Sequence, residues 1–284
     1  MLSALLLGLI QGLTEFLPVS SSGHLVLFGK IFPVVGDTVL FDLVVHVGTL
    51  VPVLWVYRAD ILGMLKAPFT ERGPLSERPS TRLGLMVLLA TVPTGIIGVA
   101  FKDVFEELFS GLGVLAVTFS ITGLLLLATR LTTPGGGPFA SLRERLSSRA
   151  VVSQGQLQWW HALVIGVAQG LAITPGISRS GTTIAVALFL GLDRELAARF
   201  SFLLAIPAIS GAFVLTAKDA DLSSLDLGVM SGGFLSSMVS GYLALLLLVK
   251  LVKRGDFSWF SPYLFAIAAF AGAAAAGWIS LPGL

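Results

Sequence analysis

The stretch QGLTEFLPVSSSGH, residues 11–24, places a carboxylate, a proline, three serines and a histidine between two hydrophobic runs. A second stretch with the same layout, QGLAITPGISRSGT, follows at residues 169–182. Extended backwards by three residues, to Gly8 and Gly166, the two stretches align without a gap and are identical at seven of 17 positions. About one identity would arise by chance, so the pair predicts an internal repeat. The identities in the first copy are Gly8, Gln11, Gly12, Leu13, Ser20, Ser22 and Gly23.

The composition is that of a membrane protein. The chain has 284 residues, of which 55% are hydrophobic and 12% are charged, and its mean hydropathy is +0.92. These values lie far outside the range of soluble globular domains. The net charge of +2 does not indicate nucleic-acid binding, because the basic residues stand in short loops between apolar runs, where they set topology. The sequence contains no cysteine, which excludes disulfides, thiolate metal sites and a cysteine nucleophile.

The chain contains apolar segments of two kinds. Six are long enough, at about 20 residues, to cross the hydrocarbon core of a bilayer as helices. They cover residues 38–57, 82–101, 111–130, 197–216, 227–249 and 261–280. Two further regions, residues 2–32 and 159–192, are each divided by a Pro, Ser and Gly segment into pieces too short to span. These two regions are typical of re-entrant hairpins, whose irregular backbone needs protein or water around it.

The repeat defines the predicted architecture. Each half has one hairpin and three spans, and three spans turn the second half upside down relative to the first. We therefore predict an all-α polytopic membrane protein with an inverted-topology repeat, whose six transmembrane helices accompany two re-entrant helical hairpins that meet near the midplane. The first repeat covers residues 1–130, a cytoplasmic linker covers residues 131–158, and the second, inverted repeat covers residues 159–284. The linker includes TTPGGGPF, residues 132–139.

The distribution of basic residues predicts the orientation. The loops at residues 58–81, 131–158, 193–199 and 250–260, with the bordering Arg82 and Arg130, carry 14 Lys and Arg residues. The opposite side carries only Lys30, Lys102 and Lys218. The positive-inside rule places the first side in the cytoplasm and both termini outside. A cleaved signal peptide is the alternative for residues 1–22, but a basic n-region is missing and the segment has a second copy.

Four ionisable residues fall in the predicted membrane interior. A charged side chain there costs about 2.5–3.5 kcal/mol, so each is a functional candidate. The four are Glu15, His24, His46 and Arg179. We interpret His46, on an otherwise apolar span, as a hydrogen-bonded packing residue rather than a catalyst. Asp42 is interpreted as a residue that caps or borders the same helix.

The first stretch offers the chemistry of an anion site. Gln11 and Glu15 are four residues apart and share one helical face. Pro18 then ends the helix, and Ser20, Ser21, Ser22 and Gly23 lead into the next one, with His24 in its first turn. Hydroxyls and free N–H groups at a helix N-terminus bind anions, most naturally phosphate.

The second stretch supplies positive charge. It forms the same turn from Ser178, Arg179, Ser180, Gly181, Thr182 and Thr183. Arg179 stands where the first copy has Ser21, and its planar donor fork suits phosphate oxygens. Two simpler readings remain open. Glu15 and Arg179 could form a structural ion pair, and the serines could be helix caps only.

Together the two stretches fit phosphoryl transfer, which depends on positioning and on cationic groups around the phosphoryl oxygens. Glu15 could hold a divalent cation, and Ser21 with His24 could act as a nucleophile and its base or acid. An inverted repeat with two broken helices is equally the plan of a secondary transporter or flippase for an anionic substrate. A carrier needs binding groups but no nucleophile, so the serine-rich stretch favours hydrolysis.

The segments QGLTEFLPVSSSGH and PGISRSGTT, residues 11–24 and 175–183, closely resemble the two signature segments of the bacterial undecaprenyl-diphosphate phosphatases of the bacitracin-resistance type. The resemblance extends over essentially the whole chain. It implies hydrolysis of undecaprenyl diphosphate to undecaprenyl phosphate, which recycles the cell-wall lipid carrier, at a metal-dependent site that faces the periplasm in the bacterial inner membrane. The partners it implies are a polyprenyl diphosphate and membrane lipids. A homodimer and flipping of the lipid product are left open.

The resemblance also assigns roles by position. It implies Ser21, His24, Glu15 and Arg179 as catalytic residues, with Ser21 the preferred nucleophile and water activated by His24 or Glu15 the alternative. Mg²⁺ or Ca²⁺ is expected at Glu15 with Gln11, whose position is often glutamate in the family and here offers only an amide oxygen. The expected substrate contacts are Ser20, Ser22, Gly23, Ser178, Ser180, Thr182 and Gln11.

Overall fold

The computed structural model describes residues 1–34, 38–109, 111–133, 140–147, 151–216, 226–254 and 256–281. Within these ranges the chain forms thirteen α-helices joined by short turns and 3₁₀ segments. The predicted all-α fold is therefore confirmed. The helices are α1 (Leu2–Phe16), α2 (Ser21–Gly29), α3 (Thr38–Val56), α4 (Arg58–Thr70), α5 (Pro79–Ala100), α6 (Lys102–Leu108), α7 (Leu112–Ala128), α8 (Ala140–Ser147), α9 (Trp159–Leu171), α10 (Arg179–Phe189), α11 (Arg194–Thr216), α12 (Leu227–Arg254) and α13 (Ser261–Ala275).

Six helical segments in the described residues are long and apolar enough to cross a membrane, as predicted. They are Thr38–Val56, Pro79–Ala100, Leu112–Thr132, Arg194–Leu215, Leu227–Val252 and Phe257–Ala275. The largest differences from the predicted bounds are at the last span. It begins at Phe257 because a 3₁₀ turn precedes α13, and it ends before Gly277, whose φ of 74° breaks the helix.

The two interrupted regions form two pairs of short helices. α1 has 15 residues and α2 has nine, whereas α9 has 13 and α10 has 11. None of the four reaches the length of about 20 residues that a single span requires. In each pair the two helices pack against each other. The connecting turns and first helical residues are called here the first serine loop (residues 18–24) and the second serine loop (residues 176–182).

Glycines in α1 and α9 allow close packing on long helices. A methyl group added to Gly12 would overlap with Ser240 and the backbone of α12, and one added to Gly166 would overlap with the carbonyl of Ala90 in α5. Both helices therefore approach their partners at backbone distance, as small residues in membrane helices permit. This packing fixes α1 and α9, and with them the two serine loops, in the interior.

The two serine loops meet inside the helical bundle. A methyl group on Gly23 of the first loop would lie 2.8 Å from the Cα of Gly176 in the second. Ser180 Oγ donates to the carbonyl of Leu17 at 3.4 Å. Thr122 of α7 holds the second loop from behind, because its hydroxyl donates to the Gly176 carbonyl at 3.0 Å and accepts from the Ser178 N–H at 3.1 Å.

The predicted linker is described only in part. Residues 134–139 of the Gly-rich segment lie outside the described residues, as do Arg149 and Lys218, which the topology prediction counted. The described part contains α8 and a 3₁₀ turn at Gln154–Gln156. Val152 pairs with the turn before α11, where its N–H donates to the Gly191 carbonyl at 2.9 Å. The linker boundaries themselves stay a prediction.

Candidate active site

Ser20 gives the first serine loop its shape. Its φ of 69° makes it the only residue other than glycine with a positive φ in the described ranges, a conformation that strains an L-residue. Its hydroxyl accepts the Gly23 N–H at 3.3 Å, and its carbonyl accepts the His24 N–H at 3.2 Å. The turn caps α2 and places Ser21 as the first helical residue, with its side chain facing α1.

Glu15 is the centre of the site. Ser21 Oγ donates to Glu15 Oε2 at 2.5 Å, and Gln11 Nε2 donates to the same oxygen at 3.0 Å. Arg179 Nη2 donates to Glu15 Oε1 at 2.5 Å from the second serine loop. Only 5% of the Glu15 side chain is exposed. The structure thus brings the Ser21 hydroxyl and the Arg179 guanidinium into contact with the Glu15 carboxylate, although Arg179 follows Glu15 by 164 residues in the sequence.

Arg179 keeps donors for a ligand. Besides Glu15, it contacts the Ser201 carbonyl through Nη1 at 3.5 Å. These two bonds use two of the five N–H groups of a guanidinium, and in the described part of the chain no further protein acceptor takes the others. The side chain is 17% exposed.

His24 does not pair with Ser21, although both lie in the first turn of α2. Its Nδ1 bonds the Ser20 carbonyl at 2.7 Å, and its Nε2 bonds the Tyr263 hydroxyl at 2.6 Å. Because a carbonyl only accepts, Nδ1 carries the proton and Nε2 accepts from tyrosine. The ring stacks on Tyr263 and meets the edge of Phe119. The structure therefore shows no hydrogen bond between His24 and Ser21, because the Ser20 carbonyl and Tyr263 of α13 take both ring nitrogens.

His46 lies beside Glu15, a neighbour that the sequence interpretation did not assign to it. Its Nε2 lies 3.7 Å from Glu15 Oε2, and its side chain is 26% exposed. Its Nδ1 bonds the Asp42 carbonyl at 2.6 Å. Asp42 is the fifth residue of α3 and not a cap or border of that helix, as the sequence had suggested. The one available signal was a polar ring on an apolar span. The rotation of α3 against α1, which turns this ring towards Glu15, is a tertiary property that periodicity does not reveal.

The second serine loop repeats the capping hydrogen bond of the first, but the φ of its capping serine is −71° at Ser178 and not positive as at Ser20. Ser178 Oγ accepts the Gly181 N–H at 3.0 Å and lies 3.3 Å from Ser180 Oγ. In the first loop the equivalent pair, Ser20 Oγ and Ser22 Oγ, is also 3.3 Å apart. Ser20 and Ser178 thus cap α2 and α10, as the simpler reading held.

The predicted threonines differ. The Thr182 hydroxyl is buried and has no hydrogen-bond partner among the described residues. Thr183 instead contacts Ser201 Oγ at 2.5 Å and donates to the Arg179 carbonyl at 2.8 Å, so its hydroxyl is engaged within the protein. Of the two, only Thr182 has a hydroxyl free for a ligand.

The groups around Glu15 include oxygen atoms of the kind that divalent cations bind. No group of three His, Cys, Asp or Glu side chains suited to a metal ion occurs in the described residues. Gln11 Oε1, however, is buried without a partner in that part of the chain, next to the Glu15 carboxylate. Carboxylate and amide oxygens suit Mg²⁺ and Ca²⁺, with phosphate oxygens and water as the other ligands.

Comparison with known proteins identifies the family. The chain matches the family model described as bacitracin resistance protein BacA over residues 4–270. The chain belongs to the BacA family. The undecaprenyl-diphosphatase of Carboxydothermus hydrogenoformans is 45% identical over 269 residues, which cover 93% of each chain. Those of Desulfatibacillum aliphaticivorans and Desulfosudis oleivorans are 41% and 44% identical, over 94% of this chain and 96% and 95% of theirs.

The BacA match includes the whole site. Both serine loops and His46 lie within residues 4–270, and the match ends inside α13, after Tyr263. The predicted resemblance of the chain to this family is thereby confirmed. Every residue of the polar cluster around Glu15 thus belongs to the part of the chain that the BacA family shares.

Proposed function

We propose that this chain is an integral membrane phosphatase that hydrolyses undecaprenyl diphosphate to undecaprenyl phosphate and inorganic phosphate, and so recycles the lipid carrier of cell-wall synthesis. Relatives that are 38–45% identical carry the name undecaprenyl-diphosphatase. The observation that carries the proposal is the contact of Glu15 with Ser21 in its own loop and with Arg179 in the other. A hydroxyl and a guanidinium at two adjoining helix N-termini, with a carboxylate from the last turn of α1 in contact with both, are groups suited to phosphoryl transfer.

The terminal phosphate binds between the two serine loops. Arg179 has N–H groups left for its oxygens, and the unpaired Thr182 hydroxyl offers a further donor. The N-termini of α2 and α10 add the favourable ends of two helix dipoles. The Ser20 and Ser22 pair and the Ser178 and Ser180 pair orient the phosphate from either side, and Gly23 lets the loops approach closely.

Ser21 is the nucleophile of the proposed reaction, and Glu15 is its base. Ser21 Oγ attacks the terminal phosphorus while its proton passes to Glu15 over the 2.5 Å hydrogen bond. The bond from phosphorus to the bridging oxygen breaks, and undecaprenyl phosphate leaves. Water then cleaves the phosphoserine to release inorganic phosphate, and Glu15 returns the proton to Ser21. Direct attack by water, with Glu15 as base, is the alternative.

His24 supports this step from behind the loop. Both of its ring nitrogens are hydrogen-bonded away from Ser21, to Ser20 and Tyr263. We assign it the task of holding the strained Ser20 turn, and thus the direction of the Ser21 side chain.

Glu15 and Gln11 are the proposed protein ligands of a divalent cation, Mg²⁺ or Ca²⁺. Such an ion, when bound, stabilises the negative charge that develops on the phosphoryl oxygens. The unpaired Gln11 Oε1 supports this assignment, since a buried acceptor without a donor is unfavourable. Glu15 would share its second oxygen with Arg179.

The architecture we propose is the inverted repeat. α1 packs on α12 and α9 packs on α5, which are the middle spans of opposite halves, while α7 packs on α13, the last spans of each half. This exchange is what a two-fold relation between residues 1–130 and 159–284 requires. The helix pairs α1/α2 and α9/α10 are then re-entrant hairpins that meet near the midplane.

We place the site and both termini on the periplasmic side, with the linker at residues 131–158 in the cytoplasm. The support is the charge bias of 14 basic residues against three.

The site needs no homodimer, because both serine loops come from one chain. Transport of an anionic lipid would need neither a hydroxyl nor a base in contact, so the Ser21 and Glu15 bond favours hydrolysis.

Phosphate release from a C55 diphosphate by the purified protein in detergent tests the function. We expect release that stops with a chelator and returns with added Mg²⁺ or Ca²⁺. A matched pair is Glu15→Gln, which removes the base, and Glu77→Gln, which removes a carboxylate from an exposed 3₁₀ turn. If the protein released no phosphate in the presence of metal, and instead moved the lipid between the leaflets of proteoliposomes, it would be a transporter and not a phosphatase.

A further inference from the structure

Helix α4 has an apolar stripe that the described residues leave exposed. Leu62, Leu65 and Phe69 stand at positions i, i+3 and i+7 and therefore share one helical face, called here the α4 stripe. Their exposed fractions are 51%, 65% and 85%. Another side of α4 packs on α5, where a methyl group added to Gly84 would lie 3.4 Å from Met64 Cβ. In the described part of the chain, α4 thus has one face against protein and an apolar face against none.

Both ends of α4 are held by the rest of the fold. Near its start, Arg199 of α11 donates through Nη1 to Asp60 Oδ1 at 3.2 Å. Glu71, the residue after α4, accepts the N–H groups of Ser80 and Thr81 at 3.1 and 2.9 Å. These N–H groups belong to the first turn of α5, which has no intrahelical acceptor for them. The direction of the α4 stripe is therefore fixed.

The exposed charges along α4 are positive. The two acidic side chains of residues 58–72 are engaged by the bonds just described. The three basic side chains of the same range are exposed, at Arg58, Lys66 and Arg72. Arg58 and Lys66 each lie four residues from Leu62, so both border the α4 stripe. Such long side chains extend towards headgroups while their apolar neighbours insert between lipid chains.

The helix lies at the depth of the lipid–water boundary. The span Pro79–Ala100 has 22 residues, and at 1.5 Å per residue its length of about 33 Å matches a hydrocarbon core of roughly 30 Å. α4 packs on the first residues of this span, since a methyl group added to Gly63 would lie 3.8 Å from Ser80 Oγ. Trp55, 61% exposed at the end of α3, has the Arg58 guanidinium 4.8 Å from its ring. Because exposed tryptophan is typical of this boundary, the α4 stripe continues the lipid-facing surface.

We propose that α4 lies in the plane of the lipid–water boundary, inserts the α4 stripe among the acyl chains, and binds anionic lipid headgroups through Arg58 and Lys66. An apolar face with basic residues at its border is the pattern of helices that bind anionic membrane surfaces. Lipid is also the partner that the continuity with the exposed faces of α3 and α5 favours. Binding of lipid by α4 needs no turnover and does not rest on the proposed hydrolysis.

Single-cysteine labelling tests the depth of α4, because the chain contains no cysteine of its own. Nitroxides at Leu65→Cys and Phe69→Cys report on the α4 stripe. Those at Ala59→Cys and Thr70→Cys are matched controls on the exposed edge that also carries Lys66. In nanodiscs that contain anionic lipid, oxygen concentrates among the acyl chains and a nickel chelate stays in water. We expect collisions with oxygen to dominate at both stripe positions and collisions with the chelate to dominate at both controls.

Lipid selectivity tests the basic residues. A bimane at Leu65→Cys is exposed to phosphatidylglycerol or phosphatidylcholine that carries a quenching nitroxide. We expect phosphatidylglycerol to quench more strongly, and Lys66→Gln to reduce this preference about fivefold, the effect of one basic residue near an anionic leaflet. Lys66 is chosen because Arg58 also contacts Trp55. Lys102→Gln, beyond the other end of α5, is the control and should leave the preference unchanged.

Two results of the labelling would overturn the inference. Dominant collisions with the chelate at the α4 stripe would place it in water, and exclusion of both reagents would show that protein, such as a second copy of the chain, covers it. Equal quenching by the two lipids would overturn the binding of anionic headgroups. The two stripe positions keep the test decisive if one variant fails to fold. None of these readouts involves phosphate release, so a failure here is distinct from a failure of the proposed function.

Discussion

Substitutions of Glu15 and Arg179 can distinguish a catalytic role of this ion pair from a purely structural one. Replacing Arg179 by methionine keeps the length of the side chain and removes the charge. It leaves Glu15, 5% exposed, without its partner at 2.5 Å. Breaking a buried ion pair from one side costs about 3–5 kcal/mol of unfolding free energy. Because Ser21 and Gln11 still donate to the carboxylate, we expect Arg179→Met to lower the unfolding free energy by about 3 kcal/mol, the lower end of this range.

The double variant Glu15→Gln/Arg179→Met decides between the readings. Removing both charges leaves no unpaired ion, so we expect its unfolding free energy to lie above that of Arg179→Met alone. Its phosphate release should stay at least about 100-fold below wild type, because the loss of one transition-state donor already has an effect of this size.

The assays are unfolding in mixed detergent micelles and phosphate release from a C55 diphosphate. Lys102→Met is the control for removal of a cation, since its pair with Glu106 is exposed, with side-chain exposures of 61% and 65%. It should leave both readouts unchanged. If the double variant regained stability and also released phosphate at a rate near wild type, Glu15 and Arg179 would be a structural ion pair and the proposed site would be wrong.

Three further changes test other parts of the site. Ser21→Ala should abolish a phosphoserine trapped by acid quench and lower turnover at least about 100-fold; substantial turnover would instead favour direct attack by water. Tyr263→Phe removes the donor to His24 and should lower kcat about tenfold with little change in KM, by loosening the Ser20 turn; an unchanged kcat would show that this hydrogen bond is dispensable. Gly12→Leu should prevent stable folding, because even a methyl group overlaps with α12; normal expression and a native elution profile on size exclusion would contradict the close packing.

Periodicity and composition predict the membrane spans well, because a span depends only on the residues within it. Long apolar stretches such as residues 82–101 need nothing but their own length to be helical in a bilayer. Their ends are less predictable, because polar residues can extend a helix beyond its apolar part. α11 begins at Arg194, three residues before the predicted start at 197, since Asp193 Oδ1 accepts the Leu196 N–H at 2.8 Å and caps it.

The internal repeat made part of the site predictable from the sequence. The equivalence of the two stretches brought Glu15, Ser21 and Arg179 into one hypothesis, and the structure places them in contact. The neighbours of the two histidines were not predictable, for one reason. Which neighbour a ring meets depends on helices distant in sequence: α13 supplies Tyr263 to His24, and α3 turns His46 towards Glu15. No spacing within 11–24 contains that information.

The two copies also explain how a duplicated turn can become a site. In each, a serine caps the following helix and lies 3.3 Å from the serine two positions later. The residue between them thus follows a capping serine in both copies, although the backbone of that serine differs, with a φ of 69° at Ser20 and −71° at Ser178. Ser21 and Arg179 occupy this position, and each contacts a different oxygen of Glu15. A carboxylate present in one copy alone thus orients a hydroxyl from its own loop and a guanidinium from the other, so that neither half of the chain contains the site by itself.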